Sequence, residues 1–102
     1  MSAYVSDTHS LIWHIFQNRR LSEKARLIFQ EIDEGKGSVY IPTIVMVEIV
    51  FLLEKARIPQ EAIDRVIDLL ERPTTNYRIA QIAPATVRAL QSLPHHLAPD
   101  MP

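Results

Sequence analysis

One short stretch limits what this chain can fold into: Tyr4-Val5-Ser6-Asp7-Thr8-His9-Ser10. Tyr4 and Val5 read as a buried strand, Asp7 ends it, and Thr8 to Ser10 open an amphipathic helix. Leu11, Ile12, Ile15 and Phe16, with Trp13 alongside, give that helix its apolar spacing. A strand that runs straight into a helix, with a carboxylate at its carboxyl end, suits an open α/β sheet. In such sheets ligands bind beyond the carboxyl ends of the strands.

The rest of the chain repeats this logic. Asn18-Arg19-Arg20 breaks the first helix, and Ser22 caps a second that runs to about Glu34, with Ala25, Ile28, Phe29 and Ile32 inward. Leu21 precedes the cap as a hydrophobic staple residue. Gly35-Lys36-Gly37 ends the helix. Val39-Tyr40-Ile41 is β-branched and aromatic and reads as a second strand, stopped by Pro42. Thr43 is placed to cap a third helix from about Ile44 to Ala56. Pro59 starts a fourth, with Ala62, Ile63, Val66, Ile67 and Leu70 on one face. A loop over 72–76 leads to a third strand over 77–83. Pro84 opens a fifth helix. The order β-α-α-β-α-α-β-α predicts an α/β fold with a parallel sheet and a single domain.

Two acids stand out. Asp7 is an expected N-cap, and capping does not exclude metal binding. Glu48 lies in Ile44-Val45-Met46-Val47-Glu48-Ile49-Val50-Phe51-Leu52-Leu53, where no same-face neighbour can pair with a carboxylate. A helix apolar nearly all round is expected to be buried, and burying an unpaired carboxylate costs several kcal/mol. Glu48 therefore calls for a cation, a solvent-filled cleft or a basic residue from elsewhere. Two convergent carboxylates suit magnesium or manganese. Thr8, beside Asp7, and Arg19 and Arg20, after the first helix, are candidate substrate contacts, the arginines as phosphate ligands. A solvated turn explains the arginines equally well.

Other chemistries find no support. The chain has no cysteine, which excludes disulfides, thiolate nucleophiles and cysteine-ligated zinc and fits a cytoplasmic setting. His9 and His14 are five apart, not the four of a helical zinc pair. His95-His96 read as solvated loop residues. There is no Gly-rich phosphate loop, no nucleophile elbow and no Asp-x-Asp phosphatase motif. A net charge of −1 gives no global attraction to nucleic acid. No apolar run is long enough to span a membrane.

Val5-Ser6-Asp7-Thr8-His9-Ser10-Leu11-Ile12-Trp13 resembles the opening of PIN-domain nucleases, most closely the VapC-type toxins: an apolar strand, Asp-Thr-His, then an apolar helix carrying Trp. Arg20-Leu21-Ser22 with Ala25 is similar to the family's second helix. Tyr40-Ile41-Pro42 to Val47-Glu48-Ile49 resembles its second strand and third helix, and Leu93-Pro94-His95-His96 a segment ahead of its third acid. The resemblance implies a PIN-like fold in which Asp7 and Glu48 are catalytic, metal-binding acids. It implies Mg2+- or Mn2+-dependent cleavage of RNA, an antitoxin protein as partner, and a homodimer. In the family, a segment like Pro99-Asp100-Met101-Pro102 is followed by the third acid and a further strand. The resemblance thus implies that residues 1–102 are a C-terminally truncated PIN-like domain with three strands, the third acid not being present. The competing expectation is a catalytically incompetent PIN-like fragment that acts only in protein binding or dimerisation.

Overall fold

A computed structural model of the chain describes residues 2–81 and residue 88. Three strands, β1 (Ser2–Val5), β2 (Gly37–Pro42) and β3 (Tyr77–Ala80), alternate with pairs of helices: α1 (Thr8–Ile15) and α2 (Glu23–Asp33), then α3 (Thr43–Glu54) and α4 (Gln60–Glu71). The strands form one parallel sheet in the order β1-β2-β3, so the α/β class and the first seven elements agree with the sequence reading. The fifth helix expected from Pro84, His95-His96 and Asp100 lie outside the described residues, apart from residue 88.

The central strand β2 alternates buried and half-buried positions, with Val39 and Ile41 fully enclosed. α2 packs on β2 and α4 on β3, while α1 touches α2, α3 and α4. Leu11, Phe29, Ile32, Ile49 and Val66 fill the space these elements enclose. All four residues expected inward on α2 are buried, and its Ser22 hydroxyl caps the helix by accepting from Ala25 N–H at 3.1 Å.

Three helices end alike. In α1, Gln17 N–H donates to His14 C=O and Asn18 N–H to Trp13 C=O. In α2, Gly35 and Lys36 donate to Ile32 and Glu31; in α3, Ala56 and Arg57 donate to Leu53 and Leu52. Each is a Schellman closure, which needs a left-handed residue just past the helix. Gly35 meets that demand at φ 82°, but Gln17 (52°) and Ala56 (56°) meet it against their own Cβ.

Two expectations need correction. Thr43 does not cap α3: Pro42 occupies the cap position, and the Thr43 hydroxyl instead donates to Ala80 C=O at 3.0 Å, tying α3 to the end of β3. Nor is α3 buried all round. Only Val45 and Ile49 are enclosed, whereas Ile44, Val47, Val50 and Phe51 are exposed.

Candidate metal centre

Asp7 sits where β1 hands over to α1. Ser6 N–H continues the β1–β2 ladder by donating to Tyr40 C=O at 3.1 Å. Asp7 then takes an extended backbone (φ −91°, ψ 175°), and its Oδ1 accepts from Ser10 N–H at 2.7 Å. That bond caps α1 and fixes the carboxylate at the helix N-terminus, where negative charge is favoured. The carboxylate is half-buried. Thr8 is only 2 % exposed, and its hydroxyl lies out of solvent without a hydrogen-bond partner among the described residues.

Glu48 lies on the helix that follows the neighbouring strand. Val5 pairs with Tyr40 across the parallel ladder, so Asp7, two residues on, is level with Pro42. Pro42 leads directly into α3, which packs against α1. Glu48 lies six residues past Pro42, about 9 Å along the helix at ~1.5 Å per residue. Both acids therefore stand on helices that leave the carboxyl ends of two adjacent parallel strands, the edge at which open α/β sheets bind ligands.

The environment of Glu48 differs from the sequence expectation. It is exposed, so the desolvation cost inferred from its apolar neighbours does not arise. Its basic-partner explanation gains nothing either: among the described residues Glu48 makes no ion pair. Asp7 and Glu48 offer hard oxygen donors, the chemistry that Mg2+ and Mn2+ take. Among the described residues no group of three or more His, Cys, Asp or Glu side chains is placed to hold a metal. Arg19 and Arg20 are both exposed beyond α1, where Asn18 Oδ1 accepts from Arg20 N–H at 2.9 Å and shapes the turn.

A model of the PIN domain family matches residues 4–99. The chain belongs to the PIN domain family. PIN domains generally are metal-dependent nucleases, and the three-stranded parallel sheet with flanking helices accords with a PIN fold. No curated protein and no solved structure gave a significant match to the chain. Among the described residues of this PIN domain, no helix is long and apolar enough to cross a membrane.

A second polar cluster lies toward the opposite, amino edge of the sheet, and sequence reasoning missed it. Asp33, closing α2, accepts from Tyr77 Oη at 2.8 Å and pairs with His14 Nε2 at 3.0 Å. The His14 ring stacks on Phe29 with centroids 4.2 Å apart. Burial pushes the Asp33 carboxyl up, yet the bonds from His14 and Tyr77 outweigh it and hold the group below its ordinary value. Burial, then the Asp33 carboxylate, drives the Tyr77 phenol well above its own. With the partners 19 and 44 positions apart in sequence, no local pattern announces this network.

Proposed function

We propose that this PIN domain is the nuclease core of a VapC-type toxin that hydrolyses RNA phosphodiester bonds with Mg2+ or Mn2+. The observation that carries the reading is the placement of Asp7 and Glu48. They stand on two packed helices launched from adjacent parallel strands, and Glu48 has no ion-pair partner among the described residues. Asp7 and Glu48 would hold the cation. A divalent cation there supplies Lewis-acid polarisation of the phosphodiester. The Asp7 cap orients its carboxylate toward that task, and the amino end of α1 favours an anionic substrate nearby. An antitoxin and a homodimer are part of the proposal. The exposed Ile44, Val47, Val50 and Phe51 along α3 support a protein partner.

The test is cleavage of a generic RNA with and without Mg2+. Asp7→Asn and Glu48→Gln should each lower the rate roughly 100-fold or more, since even outer groups around a metal site cost 10–100-fold. Metal-independent cleavage that survives both substitutions would sink the proposal. The second reading, a PIN-like fragment that only binds protein, draws on the two-acid set among the described residues. Mg2+- or Mn2+-dependent cleavage that Asp7→Asn abolishes favours the nuclease reading. Protein binding with no cleavage in either metal favours the second.

A further inference from the structure

The closures of α1 and α3 meet around a cavity of about 340 Å³. Trp13 and Asn18 line it from the end of α1, Leu52 and Arg57 from the end of α3, and His9 and Arg20 join them. Gln17 and Ala56, the two non-glycine residues held in the left-handed region among the described residues, directly precede these lining loops. Backbone held against its own preference tends to mark functional sites. Leu52, on the cavity wall, is one helical turn past Glu48 on the same face of α3.

Its chemistry is selective. Among the described residues no acidic side chain lines it. Arg20 and Arg57 are exposed, and among the described residues neither guanidinium has an ion-pair partner, unlike Arg26, Arg65 and Arg72. The Trp13 indole forms part of the wall beside the His9 ring, centroids 5.8 Å apart. His9 Nδ1 is out of solvent and, among the described residues, lacks a hydrogen-bond partner. The carboxyl ends of two helices carry partial negative charge, which disfavours a phosphate inside but not a neutral ring. An aromatic wall with exposed, unpaired arginines suits a base stacked within and phosphates outside.

We propose that this cavity receives an unpaired nucleobase of single-stranded RNA, stacked on Trp13, with the adjoining phosphates held by Arg20 and Arg57. The inference rests on the nuclease reading for its choice of RNA. It makes the cavity a base subsite of that nuclease, one that a paired base cannot enter without the cost of leaving its helix.

Trp13 is the chain's one tryptophan, so its fluorescence reports on this cavity alone. The whole chain, kept free of divalent metal with a chelator, is titrated with a short single-stranded oligoadenylate, with its duplex, and with polyglutamate. Saturable quenching by the single strand, and not by the duplex, is expected. Arg20→Ala and Arg57→Ala should each weaken binding by about tenfold or more at low salt, as loss of a charged hydrogen bond does. Each should also reduce the salt slope by about 0.7, the value of one phosphate on a single strand. Lysine at either position should restore the slope, and Lys24→Ala, on the exposed face of α2, should change nothing. Oligonucleotide binding, seen by anisotropy of a labelled strand, without a Trp13 response would overturn the inference. So would equal quenching by the duplex, or stronger quenching by polyglutamate, which would mark a groove for an acidic protein segment. Quenching with no cleavage would uphold this subsite while the nuclease reading fails. Cleavage with a silent Trp13 would overturn the subsite alone.

Discussion

Removing the Asp33 carboxylate should cost more stability than removing the hydroxyl that donates to it. Tyr77 is 2 % exposed, whereas the Asp33 side chain is 45 % exposed. In Tyr77→Phe, water can reach the orphaned carboxylate, so the loss is that of one hydrogen bond, about 1 kcal/mol. In Asp33→Ala the phenol stays buried without its acceptor, and the His14 pair is lost as well. A buried unsatisfied hydroxyl costs roughly 1–3 kcal/mol and a half-exposed ion pair under ~1, so about 2 kcal/mol is expected. The double variant should lose less than the sum, by a coupling of about 1 kcal/mol. Urea melts of the four chains near neutral pH measure the cycle. The sign with pH follows from the two shifts. Asp33 titrates below its ordinary 3.8 when folded, so its contribution is present above that value and disappears as pH falls through the folded one. Tyr77 titrates above its ordinary 10.0 when folded, so stability is present below pH 10.0 and declines as pH rises beyond it. An Asp33→Ala loss smaller than that of Tyr77→Phe, or a cycle with no coupling, would refute the reasoning.

Ala56→Gly should stabilise the chain by about 0.5–1 kcal/mol in denaturant melts, because relief of a left-handed Cβ clash (~1–2 kcal/mol) exceeds the entropy that glycine adds to the unfolded chain (~0.5–1 kcal/mol). Asp7→Ala should cost about 1 kcal/mol through loss of the α1 cap, while Asp7→Asn keeps the cap and the stability, so equal losses in thermal melts would count against the capping role. Glu48→Gln should shift stability by under ~0.5 kcal/mol, since the side chain is exposed and without an ion pair among the described residues, yet should weaken Mg2+ binding measured by calorimetry.

How legible this fold was depends on where the information sits. The second helix was readable from end to end: Ser22 caps it, four apolar residues at helical spacing face inward, and Gly35 closes it. The hand-over at Asp7 was equally local, since a capping acid after an apolar strand needs no distant partner to explain it. The third helix misled. Apolar residues all round do not say which face is enclosed, and here only Val45 and Ile49 are, leaving Glu48 exposed. The Thr43 hydroxyl went to Ala80, and the Asp33 network joined α1, α2 and β3. Those bonds depend on which elements become neighbours, which sequence periodicity does not encode.

The central claim is that Asp7 and Glu48 share one divalent cation. Mn2+ broadens the NMR signals of nuclei close to it, so adding it in small steps to the isotopically labelled chain tests the claim directly. The amides of Thr8 to Ser10 and of Val47 to Ile49 should fade together, at the same Mn2+ concentration, and excess Mg2+ should restore both. Glu48→Gln should weaken the effect at both stretches at once. Broadening at one stretch alone, or first around Asp33 or Asp68, would show that the two acids do not form a common site.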